Sequence, residues 1–461
     1  MAPLAALLAA DGHRVTGSDA PLYPPMSTLL AEARIAPFVG YEPAHLEPRP
    51  DLVVIGNAVP RSNPEAVECE RLGLPRLSMP EALARFFLAD RLPLVVAGTH
   101  GKTTTSALAA WVWSACGRDP GFLVGGVPLD LGTSFRRGGG ERFIVEGDEY
   151  NAAYFDRGAK FLHYRPQTAI VTSVEYDHAD LYPTPAAFRD AFRRFVTLVP
   201  ESGLLVACGD SVELREVAAA ARCETTFYGA AEGNDWRLVA PPSAGEGGTR
   251  FTVREPDGGE RELTLGVWGR HNVSNALAVW AAARRDELPP ARIADALARF
   301  RGVRRRQELV GEPGGVTVID DFAHHPTAVG ETLASLRQRF PGRRLVAAFE
   351  PRSLTAGRAF FLDGYRAAFR AADRVVLAPI FHRDRLAPED RLDLESLAGD
   401  LTSAGTPTAA SGSIDEVESI LLAESRAGDV VVTMSSGSFA GLAGRLVRGL
   451  TERGGRVSTP G

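Results

Sequence analysis

The stretch Gly98-Thr99-His100-Gly101-Lys102-Thr103-Thr104 follows the apolar run Leu94-Val95-Val96-Ala97 and leads into a helical pattern. Two glycines let backbone N–H groups turn onto an anion, and the helix N-terminus adds its partial positive charge. Lys102 can reach the outer phosphates of a nucleotide, and the hydroxyl of Thr103 can hold a magnesium ion. The longer form of this phosphate loop carries a further glycine where this chain has Val96, so the match is to a shorter variant. Of 51 basic residues, all but Lys102 and Lys160 are arginine. A lysine inside a glycine loop of such a chain suits a phosphate oxygen as a compact point charge.

Other chemistry-bearing residues stand at the ends of apolar runs. Arg142-Phe143-Ile144-Val145 leads to Glu146-Gly147-Asp148-Glu149, and Thr168 to Thr172 leads to Ser173-Val174-Glu175-Tyr176-Asp177-His178. In a parallel sheet these tips share an edge with the phosphate loop, which would place carboxylates and an imidazole beside the nucleotide phosphates, as a magnesium site requires. Taken alone, such an acidic cluster fits a solvated loop equally well. Gly269-Arg270-His271-Asn272-Val273-Ser274-Asn275 opens a helix and is also readable as an N-cap region. Arg304-Arg305-Arg306 is readable as a solvated turn or an anion contact. Asp320-Asp321-Phe322-Ala323-His324-His325-Pro326, Glu350-Pro351-Arg352 and Met434-Ser435-Ser436-Gly437 each end a further strand.

The elements that must position these residues form three α/β segments. Residues 1–91 read as a Rossmann-like domain, with a strand over Arg14 to Asp19 and another at Leu52 to Ile55. Asp19 would meet a ribose hydroxyl there, beside Ser18, while Gly56 and Asn57 close the second strand. No strand and glycine loop precede them, so the first strand of that fold is expected to be lacking. Residues 92–311 read as the phosphate-loop domain, with a β-rich part from Glu201 to Val267 and a hairpin about Asp257-Gly258-Gly259. Residues 312–461 read as a doubly wound sheet.

The chain of 461 residues is 45% hydrophobic and 23% charged with a net charge of −6. These values fit a soluble globular protein and argue against nucleic acid or an anionic membrane as partner. Four cysteines lack metal-type spacing, and the apolar first ten residues have no basic lead, so a cytoplasmic protein is expected.

Taken together, these motifs resemble the Mur ligase family, and the resemblance spans essentially the whole chain. It implies an ATP-dependent ligase of peptidoglycan assembly, with magnesium as cofactor, small-molecule substrates and a monomeric state. Arg304 to Arg306 and the His-His-Pro motif resemble the branch that uses UDP-N-acetylmuramate. Tyr23 to Thr28, Gly121 to Pro128 and His163-Tyr164-Arg165-Pro166 are similar to members whose acceptor is the tripeptide L-alanyl-gamma-D-glutamyl-meso-diaminopimelate. The alternative acceptor is L-alanine.

By family position Lys102, Glu146 and His178 are catalytic. Thr103, Glu146 and His178 hold metal. Gly98 to Thr104, His271, Asn272, Asn275, Arg304 and Asp321 bind ATP, Ser18, Asp19, Gly56 and Asn57 bind the UDP-sugar, and His324 and Arg352 face the peptide. Many members carry a carbamoylated lysine where Ala187 to Val196 here contains none, a lack shared with the muramate-using branch. A folate polyglutamate ligase is disfavoured by the His-His-Pro motif, and a non-catalytic nucleotide switch by the number of chemical groups at strand tips.

Overall fold

A computed structural model describes residues 1–22, 26–176, 181–245 and 247–455. The chain divides into two compact units. The first comprises Met1–Ala240, Thr252–Leu263 and Ser274–Arg299; the second comprises Pro241–Phe251, Thr264–Val273 and the chain from Phe300 onward. Among the described residues no helix is long and apolar enough to cross a membrane.

In the first unit the strand Leu92–Ala97 runs parallel between Thr168–Val171 and Arg142–Gly147, with Ala97 opposite both Val171 and Gly147. Leu94 to Ala97 are fully buried, as expected of an apolar run covered on both faces. Leu204–Cys208, Glu224–Gly229 and Trp236–Leu238 extend the parallel sheet on one side. Gly121–Leu123 and then the antiparallel Phe135–Arg136 extend it on the other. The stretch read as β-rich stays in this sheet: its first strands continue the parallel order and Gly248–Arg254 then pairs antiparallel with Trp236–Leu238. By compactness Pro241–Phe251 and Thr264–Val273 are grouped with the second unit. The hairpin about Gly258 forms as expected, between Gly248–Arg254 and Glu260–Leu265.

The helix Lys102–Ala115 is tied into this unit by Asp286, which accepts from Trp113 Nε1 at 3.0 Å and from both Nε (2.7 Å) and Nη2 of Arg142. Both partners of the ion pair are about 14% exposed or less. Asp286→Ala strands a largely buried guanidinium, so a loss of about 3 kcal/mol is expected in urea denaturation. A loss below about 1 kcal/mol would show that Arg142 finds water instead.

The N-terminal segment departs from the expected single sheet. Of Arg14 to Asp19 only Ser18–Asp19 is strand, pairing with Phe38–Val39, while Val53–Ile55 pairs separately with Arg76–Ser78. In the order 3-2-1-4-5 the first strand joins these two pairs. Here the pairs form two separate small sheets.

The second unit is a six-stranded sheet in the order Glu308–Gly311, Thr317–Asp321, Val430–Met434, Leu345–Phe349, Arg374–Leu377, Thr408–Ala410, parallel except at the first pair. Alternate strand residues feed two cores. Val318, Val346 and Val431 face one, and Ile319, Ala347 and Val432 the other. This is the expected doubly wound sheet, with Glu308–Gly311 and Thr408–Ala410 added at its edges.

Candidate active site

The phosphate loop has the geometry its sequence requires. Gly98 (φ +138°) and Gly101 (φ +80°) lie in the left-handed region. Gly101 is the N-cap of the helix Lys102–Ala115, and no side chain caps that helix. A Cβ on Gly98 would sit 2.1 Å from Thr172 Oγ1, and one on Gly101 would sit 2.7 Å from Asn275 Oδ1. Asn275 is 6% exposed, and its Nδ2 has no hydrogen-bond partner among the described residues. A buried donor thus stands beside the loop.

Lys102 Nζ donates to Gly98 O at 2.6 Å and to both oxygens of Glu149 at 3.1 and 2.9 Å. Burial alone would depress the lysine's pKa, but the carboxylates of Glu149, Asp148 and Glu146 together outweigh it and raise the value. Thr103 Oγ1 donates to Glu146 Oε1 at 2.9 Å, and Gly125 N donates to Glu146 Oε2 at 2.7 Å. Burial, then the charge of Asp148, pushes the Glu146 carboxyl above the ordinary range. A hydroxyl and a buried carboxylate crowded by a second acid are hard oxygen donors whose excess negative charge a small dication relieves.

Thr99 and His100 are anchored to the neighbouring strand tip. Thr99 Oγ1 donates to Glu175 O at 2.8 Å, His100 N donates to Ser173 Oγ at 3.0 Å, and His100 Nε2 lies 3.1 Å from Glu175 Oε2. Thr104 is half-buried on the first helical turn. Asp177 and His178 lie outside the described residues, as do Tyr23 to Pro25.

Near the N-terminus Asp19 Oδ1 accepts from Ala20 N at 2.8 Å and from the Tyr41 hydroxyl at 3.2 Å. Ser18 Oγ meets His45 Nδ1 at 3.2 Å. Gly56 lies against the Met1 side chain, and Asn57 is exposed.

In the second unit the arginine run is sorted by its backbone. Arg304 is exposed, whereas Arg305, at φ +60°, turns its guanidinium onto Asp320 (3.1 Å) and the carbonyls of Ser435 (2.9 Å) and Gly437. Asp321, expected to line a nucleotide, points inward at 4% exposure. It accepts from Gln307 N and Ala323 N, both at 2.7 Å, and braces the turn after the arginines. Burial, only partly countered by Arg306, raises its pKa. His271 Nδ1 stands 3.5 Å from Glu331, and Asn272 Nδ2 donates to Trp268 O at 2.7 Å. His324 Nδ1 is 3.1 Å from Phe322 O. Arg352 lies over the Phe381 ring at 3.8 Å and 3.5 Å from the buried Glu350, which accepts from Ser435 Oγ.

Sequence reasoning missed Glu149 as the partner of Lys102, Gly125 as a donor to Glu146, and Tyr182, whose hydroxyl donates to Glu149 O at 2.6 Å. Burial, followed by the charge of Glu149, pushes that phenol up to about 12.

With this geometry in place, comparison with known proteins is specific. Three family descriptions match successive stretches: "Mur ligase family, catalytic domain" over residues 1–91, "Mur ligase middle domain" over 96–283 and "Mur ligase, glutamate ligase domain" over 305–437. The chain is 38% identical over 454 residues to the UDP-N-acetylmuramate--L-alanyl-gamma-D-glutamyl-meso-2,6-diaminoheptandioate ligase of Escherichia coli, covering 98% of this chain and 96% of that one. It is also 38% identical over 382 residues to the UDP-N-acetylmuramate--L-alanine ligase of Rubrobacter xylanophilus, covering 83% and 82%. The crystal structure of a murein peptide ligase from Psychrobacter arcticus superposes with a TM-score of 0.73 at 34% identity, covering 98% and 96%. The chain therefore belongs to the Mur ligase family, whose members are ATP-dependent ligases.

Proposed function

We propose that the chain joins the lactyl carboxylate of UDP-N-acetylmuramate to the amine of L-alanyl-gamma-D-glutamyl-meso-diaminopimelate, with ATP converted to ADP and phosphate. The observation that carries the ATP chemistry is the seating of Lys102 between the loop carbonyl of Gly98 and the buried Glu149. The tripeptide rests on the full-length likeness to relatives named for it. The carboxylate attacks the γ-phosphorus, ADP leaves, and the acyl phosphate is opened by the amine through a tetrahedral intermediate. Lys102 and the loop N–H groups offset charge on the phosphates, a step of positioning and electrostatics. Thr103 and Glu146 would hold magnesium, which supplies charge neutralisation at the phosphates.

We place the sugar nucleotide at residues 1–91 with Ser18, Asp19, Gly56 and Asn57, ATP at residues 92–311, and the peptide at residues 312–461 with His324 and Arg352. His271, Asn272 and Arg304 would complete the nucleotide contacts, and Asp321 would act through the turn it braces. The enzyme is read as cytoplasmic and monomeric.

The test is ADP release by the purified chain with UDP-N-acetylmuramate and magnesium, comparing the tripeptide with L-alanine. Release with the tripeptide alone is expected. Release with alanine alone would move the chain to the alanine-adding reaction of its Rubrobacter relative, and release with neither would overturn the reading.

A further inference from the structure

The chain's second lysine is beside the same acids as the first. Lys160 begins the short turn Lys160–His163, and its N–H donates to Tyr150 O at 2.9 Å. Its Nζ donates to Asp148 Oδ2 at 3.1 Å and lies 5.8 Å from the Tyr150 ring centroid. The far end of the turn is held by His163, whose Nε2 is 2.7 Å from Asp156 Oδ2. Asp148 stands between Glu146, which meets Thr103, and Glu149, which meets Lys102. Lys160 therefore stands among the acids that follow the strand Arg142–Gly147, beside the phosphate loop whose Lys102 meets Glu149.

A carboxylate entering this place meets Glu146, Asp148 and Glu149, and Lys102 is already matched by Glu149. These acids repel an incoming carboxylate, and beyond the magnesium that Thr103 and Glu146 would hold, the ammonium of Lys160 is a cation placed among them to offset that repulsion. An ammonium on a flexible stem has three donors, so Lys160 can keep Asp148 and still offer two to a second anion. We propose that Lys160 binds the carboxylate of the sugar substrate and holds it at the edge of the phosphate loop. This rests on the ligase reading above.

Lys160→Met should raise the KM for UDP-N-acetylmuramate about tenfold or more, the loss of one charge-assisted hydrogen bond, with the KM for ATP within about twofold. UDP-N-acetylglucosamine lacks the carboxylate, so its inhibition constant should also stay within about twofold, and Lys160→Arg should recover part of the loss. An unchanged sugar KM would overturn the assignment. So would a parallel rise for UDP-N-acetylglucosamine, which would put the ammonium on the diphosphate instead. Because the chain has two lysines, acetylation of the intact wild-type protein followed by mass spectrometry gives a second readout that needs no variant. UDP-N-acetylmuramate should slow modification of Lys160 and UDP-N-acetylglucosamine should not; equal rates with both would refute the proposal. Wild-type protein silent with UDP-N-acetylmuramate would instead remove the ligase reading, a result that does not depend on the variant.

Discussion

Lys102→Met is expected to lower turnover in ADP release by about three orders of magnitude and to destabilise the first unit by about 3–5 kcal/mol. Both effects have one origin. The ammonium lies within 3.1 Å of both oxygens of Glu149, whose side chain is 1% exposed. Methionine keeps the stem and removes the charge, so the phosphates lose their cation and Glu149 is left buried without its partner. The neighbouring carboxylates raise the Lys102 pKa. The lysine's contribution is therefore fully present at neutral pH and declines as the pH climbs from the ordinary lysine value through the raised one. Adding Glu149→Gln removes the stranded charge and should restore most of the stability, seen in urea denaturation, without restoring turnover. Turnover within about tenfold of wild type for Lys102→Met would take the residue out of the chemistry.

Gly98→Ala should cost about 3 kcal/mol in stability through left-handed strain and overpacking, and about a hundredfold in kcat/KM for ATP through displacement of the loop. A methyl there would meet Thr172 Oγ1 at 2.1 Å and Ser173 N at 2.9 Å. Thr172 can rotate, but the backbone of Ser173 is held where it receives the Thr99 N–H on its carbonyl and the His100 N–H on its side chain. The loop must therefore move away from the strand tip that anchors it. A variant with wild-type ATP kinetics would mean that the anchoring by Ser173 and Glu175 does not set the position of the loop.

These two variants also separate what is local from what is not. The loop, its helix and its flanking strands were legible because each depends on neighbours in sequence. An apolar run makes a buried strand, Gly at positive φ makes the turn, and the helix follows at once. That both acidic tips flank the loop strand follows from parallel pairing of apolar runs, and the structure has them on either side of it. The N-terminal reading fared less well. A two-residue strand with one partner carries too little apolar pattern to announce its length or its sheet.

What the sequence determined by itself was the family, the phosphate loop and the sheet edges at which chemistry is gathered, because these rest on residue type and short spacing. What only the tertiary structure decided was which charges meet. Lys102 takes Glu149, 47 residues away, and Lys160 takes Asp148, 12 away, although Glu146, Asp148, Glu149 and Glu175 were equal candidates by type. Arg305 instead of Arg304 turns onto the strand tips because its backbone is left-handed. Of the adjacent Asp320 and Asp321 the second is drawn inward, since a strand alternates its faces and Asp321 meets the amides of Gln307 and Ala323 on the covered one. Ion pairs have long reach and little directionality, so their partners are chosen by the folded backbone that brings them within hydrogen-bond distance.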